Sequence, residues 1–246
     1  MISFISDKPQ NNVRNDITLR NFGRGVKVAL PVLLGYLPVG FAFGVLAIQA
    51  GMTPLSVGFM SLLVYAGSSQ FIALDLMAGG TSILAIIMVT FIVNLRHLLM
   101  SAALIPYLRP WSRPLQAFYS FEMTDETFAL CNSRFYQYGV NTGETLGINF
   151  IAHQVWIFAS IGGAVFGNII GDVRAYGLDY ALSAMFMGLL LPHLRIPPRL
   201  VAAFAGGGLS VLFALAGFEQ WNVVLSTVAG ASVALVVPRQ TKRSRG

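Results

Sequence analysis

The residues with reactive side chains lie where a greasy chain should have none. Asn94-Leu95-Arg96-His97 interrupts a stretch that is otherwise apolar, and the charge-free run before it reaches from Leu76 to Leu95. Holding an arginine at the centre of a bilayer costs roughly 2.5–3.5 kcal/mol even on the lenient insertion scale. Ionisable groups at such depth mark pathways, relays or counter-ions. The plainer alternative trims the apolar segment to end near Arg96, whose head then snorkels to the lipid headgroups. On a straight helix Asn94 and His97 lie about 60° apart, while Arg96 stands about 160° from Asn94. Either the helix is distorted there or Asn94 and Arg96 serve different neighbours.

A second group is Phe121-Glu122-Met123-Thr124-Asp125-Glu126-Thr127-Phe128. The i, i+3, i+4 spacing puts Glu122, Asp125 and Glu126 on one helical face. Paired with Arg96 across a bundle, such a carboxylate stays ionised, whereas a desolvated one tends to keep a proton. Asp125 and Glu126 are therefore the candidate proton carriers. A helix lying on the membrane surface would carry the same stripe.

Two further motifs lie inside apolar segments. Tyr65-Ala66-Gly67-Ser68-Ser69-Gln70-Phe71 places three polar side chains after a glycine. Gln70 offers both a donor and an acceptor, and small polar residues also hydrogen-bond helix to helix. Leu37-Pro38-Val39-Gly40-Phe41-Ala42-Phe43-Gly44 carries a proline flanked by glycines. Broken helices of this kind build transporter sites from freed backbone groups. The same residues also read as a tolerated kink with G-x-x-x-G packing. These motifs give Pro38, Gly40, Gly44, Gly67, Ser68, Ser69, Gln70 and Asn94 as candidate substrate contacts. Arg96, His97, Asp125 and Glu126 are the candidates for ion coupling or gating. His153, near Gln154 and Trp156, reads as a histidine hydrogen-bonded in the bundle, and His193 lies in a basic loop. Neither has metal-ligand spacing, and the single Cys131 excludes an internal disulfide or a cysteine metal cluster. No phosphate-binding loop, nucleophile elbow, zincin motif or dinucleotide fingerprint is present, so the expectation is neither an enzyme nor a cofactor-bearing protein.

The elements that must position these residues follow from composition. Only 11% of the 246 residues are charged, against about 25% in soluble domains, so polar groups cannot cover a globular surface. No Asp, Glu, Lys or Arg occurs from Val28 to Leu74, from Thr145 to Gly171, from Leu200 to Phe218 or from Gln220 to Pro238. A crossing helix needs about 20 apolar residues. The reading is an all-α, polytopic membrane protein with seven apolar segments, at about 26–50, 54–78, 81–104, 144–171, 178–194, 199–217 and 221–237. A polar membrane-embedded helix at about 115–133 completes it. Residues 1–24 form a polar basic lead without the pattern of a cleaved signal peptide. Residues 25–238 form one transmembrane domain and 239–246 a basic tail. The net charge of +6 sits largely at these ends, which suits flanks retained in the cytoplasm better than nucleic-acid binding.

Charge does not settle the topology. Two cytoplasmic ends need an even number of crossings, yet eight would put Arg109 and Arg113 outside, and seven would put one terminus outside. A shift of 123 residues brings Gly40 onto Gly163, Phe43 onto Phe166, Gly44 onto Gly167 and Leu55 onto Leu178. Internal repeats of this sort, parallel or inverted, are common in secondary transporters.

Taken in order, the LPVGFAFG, YAGSSQF, NLRH and MTDETFA motifs resemble those of the AzlC family, the large subunit of branched-chain amino acid exporters. The resemblance covers about residues 20–235 and is strongest in the first 130. It implies export of valine, leucine and isoleucine across the bacterial inner membrane. It also implies a small membrane partner of the AzlD type and no cofactor. Asn94, Arg96, His97, Thr124, Asp125 and Glu126 stand at the family's motif positions, whereas Asp75 and Glu122 depart from its pattern. With no nucleotide motif, the expected driving force is an ion gradient, most simply protons. The rival expectation is a non-transporting scaffold or sensor subunit whose charges only hold the bundle together.

Overall fold

The structure is a computed structural model that describes Arg14, residues 16–170, Gly177, and residues 180–190, 197–217, 225–226, 228–230 and 232–233. The basic tail, His193 and most of the 221–237 segment lie outside the described residues. The chain divides into two units, Met1–Leu182 and Ser183–Gly246. Among the described residues it is helical, apart from one isolated bridge between Arg14 and Asn141.

Three helices of the first unit are long and apolar enough to cross a bilayer: α1 (Leu19–Gln49), α4 (Ile83–Leu108) and α7 (Thr142–Ile170, apolar to Gly167). At 1.5 Å per residue each exceeds the ~30 Å hydrocarbon thickness. Side-chain caps from Thr18 and Ser82 start α1 and α4, meeting donors that have no partner inside the helix. The helix α1 runs through both Pro31 and Pro38 without a break. Pro38 faces outward, so of the two readings of this motif the helix follows the tolerated proline, not the break.

The helices α1 and α7 lie parallel along a seam of glycines. Gly25 faces Glu144 and Ile148, Gly40 faces Trp156 and Ala159, and Gly44 faces the stretch from Ser160 to Ala164. From the other side Gly147 faces Phe22, Gly163 faces Phe41 and Gly167 faces Val45. A Cβ on Gly44 would stand 2.0 Å from the Ser160 carbonyl oxygen, and one on Gly163 2.0 Å from that of Phe41. Only glycine lets two backbones approach so closely. The 123-residue shift thus pairs glycines across one seam, and the matched helices point the same way, as a parallel repeat requires.

The remaining elements of this unit fold back in the membrane. The 54–78 segment is two short helices, α2 (Pro54–Leu63) and α3 (Gly67–Ala78), each about 15–18 Å long. Gly58 packs on Ile161 and the Ser61 carbonyl meets His153, so α2 runs against α7. Ser68 and Ser69 then meet Arg96 and Asn94 of α4, and α3 returns toward the start of α4. Ser61 and Gln70 approach at 3.5 Å. Their Cα atoms would be about 13 Å apart along a straight helix, beyond the reach of both side chains, so the chain reverses at residues 64–66.

The 115–133 segment behaves likewise from the other side. It comprises α5 (Arg113–Phe121) and α6 (Asp125–Tyr138). Asp125 meets Arg96 and the Phe135 ring meets Tyr107 at 5.6 Å. Hence α6 runs parallel to α4, and α5, which follows α4, must climb back beside it. Residues 122–124 form the tip of this second hairpin.

This arrangement removes the conflict over topology within the first unit. Arg14, Arg20, Arg24, Arg109, Arg113 and Arg134 fall at one end, and the opposite loops, residues 50–53 and 79–82, carry no Lys or Arg. The positive-inside rule assigns the arginine end to the cytoplasm. Segments 54–78 and 115–133 each enter and leave on one side, so neither counts as a crossing.

In the second unit α9 (Pro197–Leu215) is apolar, and Gly230 packs so closely on Gly206 that an added Cβ would lie 2.8 Å from its Cα. The short helix α8 (Ala181–Leu190) straddles the division between the units.

Candidate functional site

The two hairpin tips meet at half depth. His153 lies about 16 Å along α7 from Thr142, and Asn94 and Arg96 fall near the middle of α4. Around this level gather Tyr36 of α1, Ser61 of α2, Tyr65 of the first turn, and Ser68, Ser69 and Gln70 of α3. The second tip adds Glu122, Thr124, Asp125 and Glu126. Of these, Tyr36, Ser61, Tyr65, Ser68, Ser69, Gln70, Glu122, Thr124 and His153 are buried, and Asn94, Arg96, Asp125 and Glu126 are half-buried.

Arg96 joins the two hairpins. One guanidinium nitrogen lies 2.7 Å from Asp125 Oδ2 and another donates to Ser68 Oγ. Its Nε–H, shielded from solvent, has no partner among the described residues. Ser69 Oγ donates to Asn94 Oδ1 at 2.5 Å. The helix α4 is continuous here, so Asn94 and Arg96 do leave it in different directions. The long arginine side chain brings its head back to the serine beside the one Asn94 holds, and on to α6.

The helix α3 begins at this level without a side-chain cap, since its N-cap residue is Ala66. The first N–H groups of a helix have no intrahelical partner, and together with the helix dipole they attract an anion. Tyr65 just before it holds φ +39°. That is an outlier for a bulky residue, with a cost of about 1–3 kcal/mol. Its hydroxyl is buried and unpartnered among the described residues. Gly67 leaves room for the Trp156 indole, which a Cβ would meet at 2.9 Å. Trp156 Nε1–H donates to Gln70 Oε1 at 2.9 Å, which leaves the Gln70 amide to donate to Ser61 Oγ. The Phe43 ring backs this wall, 5.5 Å from Phe71 and 6.2 Å from Trp156.

The helix α6 also begins at this level, but it is capped. Thr124 and Thr127 form a reciprocal capping box, and Asp125 and Glu126 fill the first turn. The Tyr36 hydroxyl lies 2.5 Å from Thr124 Oγ1 and donates to Glu126 at 2.8 Å. On the other side of the tip, both oxygens of Glu122 approach His153 Nδ1, at 3.0 and 3.1 Å. Among the described residues no three His, Cys, Asp or Glu side chains form a metal-binding group.

Of the residues singled out in the sequence, Gly67, Ser68, Ser69, Gln70, Asn94, Arg96, Asp125 and Glu126 come together at this level. His97 is half-buried beside Arg96 on α4. Gly40 and Gly44 lie in the α1–α7 seam instead, and Pro38 faces away from the cluster. Sequence reasoning passed over Tyr36, Ser61 and Trp156, and gave His153 and Glu122 little weight. The available signal was an imidazole inside a charge-free run and a carboxylate beside the MTDE motif.

The family model described as "AzlC protein" matches residues 31–170, which hold α1 to α7 and both hairpins. The inner membrane protein YgaZ of Escherichia coli K12 is 30% identical over 217 residues, covering 85% of this chain and 86% of that one. An uncharacterised membrane protein of Archaeoglobus fulgidus is 31% identical over 215 residues, or 85% and 92% of the two chains. The branched-chain amino acid transport protein AzlC of Bacillus subtilis is 25% identical over 183 residues, covering 74% and 71%. No solved structure matches the chain. With its match over more than half the chain and relatives covering most of its length, this multi-pass membrane protein belongs to the AzlC family.

Proposed function

We propose that the chain is a secondary transporter of the bacterial inner membrane that moves small apolar amino acids, branched-chain ones first, out of the cytoplasm. The observation that carries this reading is the meeting of two half-membrane hairpins, entering from opposite sides, around the Arg96–Asp125 pair. Such a centre can be uncovered to either side by moving one hairpin, as alternating access demands. An amino acid zwitterion needs donors for its carboxylate and acceptors for its ammonium. The uncapped start of α3 and the free Arg96 Nε–H supply the donors. Glu126, Asp125 and Asn94 Oδ1 supply the acceptors. The wall of Trp156, Phe43 and Phe71 suits an apolar side chain. The printed name of the Bacillus subtilis relative supports the substrate class, and the resemblance to the family supports a small AzlD-type subunit. Coupling to the proton gradient fits a site rich in carboxylates and lacking a nucleotide motif.

The test is efflux of labelled valine from preloaded cells, with and without a co-expressed small partner. Arg96→Ala, Asp125→Asn and a protonophore are run alongside, with membrane abundance measured for each variant. Efflux that requires the chain, both charges and the gradient supports the proposal. No efflux of valine or of any amino acid in a panel sinks it, and leaves a scaffold or sensor subunit. Valine efflux undiminished in Arg96→Ala keeps the transporter and removes this site.

A further inference from the structure

His153 ties the two hairpins together, and its hydrogen-bond partners fix how many protons it must share. Nε2 lies 3.2 Å from the backbone carbonyl of Ser61. A carbonyl oxygen only accepts, so Nε2 carries a hydrogen. Nδ1 then faces both oxygens of Glu122, at 3.0 and 3.1 Å. A bare Nδ1 lone pair against a bare carboxylate would be repulsive. Either the imidazole is doubly protonated or the carboxyl carries the proton and donates it. In both cases the pair holds one proton more than a neutral histidine and an ionised glutamate.

The pair with its proton is neutral as a whole, and two helix ends stand over it. Ser61 lies in the last turn of α2, whose terminal carbonyls lack intrahelical partners, and Glu122 is the C-cap residue of α5. The C-terminal ends of two half-helices thus converge on one imidazole, and helix C-termini attract cations. The Tyr65 ring stacks on it at 3.9 Å and the Phe121 ring stands edge-on at 5.9 Å. Both partners are buried. The other ionisable groups near the tips are Asp125, which Arg96 neutralises, Glu126 and Tyr36, which hydrogen-bond each other, and the Tyr65 hydroxyl.

We propose that Glu122 and His153 form the proton-binding site of the transport cycle, separate from Arg96–Asp125. The inference rests on the proton-coupled reading above. With the proton bound, His153 clamps the tips of both hairpins to α7. When the proton leaves to water, its electron pair stays on the carboxylate or on Nδ1. The remaining lone pairs repel, and the second hairpin is free to separate from α7. The helix N-terminal ends serve the substrate anion, and the C-terminal ends serve the proton.

Two measurements test this on the full chain reconstituted in lipid. The first is the nitrogen-15 spectrum of histidine-labelled protein, which has three histidines; His153→Gln identifies the signals of interest. The expected spectrum shows protonated Nε2 with Nδ1 protonated or accepting a hydrogen bond from the acid. A protonated Nδ1 beside a bare Nε2 overturns the proposal, whether or not any amino acid is transported. The second compares valine exchange with gradient-driven net efflux in Glu122→Gln, whose amide can still donate to Nδ1 and hold the clamp. Exchange should persist while the response to a pH gradient falls by roughly tenfold or more. An unchanged gradient response, or loss of exchange together with net efflux in a well-folded variant, overturns it.

Discussion

The two hairpins share a shape and differ in how their inner helices begin. The helix α3 starts with Ala66 and Gly67, has no side-chain cap, and carries no acid in its first turn. The helix α6 starts with a reciprocal Thr124–Thr127 box and has Asp125 and Glu126 in its first turn. Both present the positive end of a half-helix to the centre of the unit. In α6 the chain's own carboxylates answer that field, and Arg96 and Tyr36 hold them. In α3 the field faces serine hydroxyls and an arginine with a spare N–H. One tip is capped by its own side chains, whereas the other is left without a cap.

Removing Arg96 should do the most damage to this contrast. Arg96→Ala leaves Asp125 without its partner at mid-depth, and breaking a buried pair costs about 3–5 kcal/mol. The pair is half-buried, so the low end is expected. Thermal unfolding in detergent should show a clear drop, with transport abolished. Adding Asp125→Ala to it should recover part of the stability but none of the transport.

Next comes Gly67→Ala at the open tip. The new Cβ would press on the Trp156 indole, and overpacking of this kind costs about 1–3 kcal/mol. Valine affinity should fall because Trp156 positions Gln70. Thr124→Ala at the closed tip should cost about 0.5–2 kcal/mol through loss of the cap. It also removes one of the two partners of the Tyr36 hydroxyl, which keeps Glu126, and a melt of the purified variant measures the sum.

The sharpest version gives the open tip a cap. Ala66→Ser supplies an oxygen to the first turn of α3, an exchange worth about 1 kcal/mol at an ordinary N-cap. Stability should rise and valine affinity, read by binding to purified protein, should fall. If affinity is unchanged, the start of α3 does not hold the substrate carboxylate. The smallest effect belongs to Tyr65→Phe, which removes a hydroxyl with no partner among the described residues. Stability should stay within about 0.5 kcal/mol, as for changes that break no interaction, while any loss of valine affinity would place that hydroxyl on the substrate.

Much of the membrane character was readable from the chain. The long charge-free runs demanded burial in lipid, and the NLRH and MTDE motifs offered charges that could pair across a bundle. Arg96 and Asp125 do pair, and Ser68, Ser69 and Asn94 do share their level. The fold-back at residues 64–66 was not readable. Residues 54–78 carry no charge except Asp75, and hydropathy reports withdrawal from water, not direction of travel. The strongest local break signal, Pro38 between glycines, does not break its helix. A proline frees one carbonyl and a helix can absorb that, whereas the true reversal turns on Tyr65, a residue with no intrinsic preference for positive φ.

By itself, the sequence determined the solvent of this protein, its helical class and which few charges lie within its apolar stretches. Those follow from transfer free energies and spacing, which are properties of single residues and near neighbours. The tertiary structure alone decided that one apolar segment and one polar one are half-helix hairpins and that Gly40 and Gly44 lie in the α1–α7 seam. It alone brought Glu122 and His153, 31 residues apart, into one hydrogen-bonded pair. Those outcomes depend on where helix ends meet in space. A buried terminal carbonyl or N–H must find a partner, and only the fold determines which one is within reach.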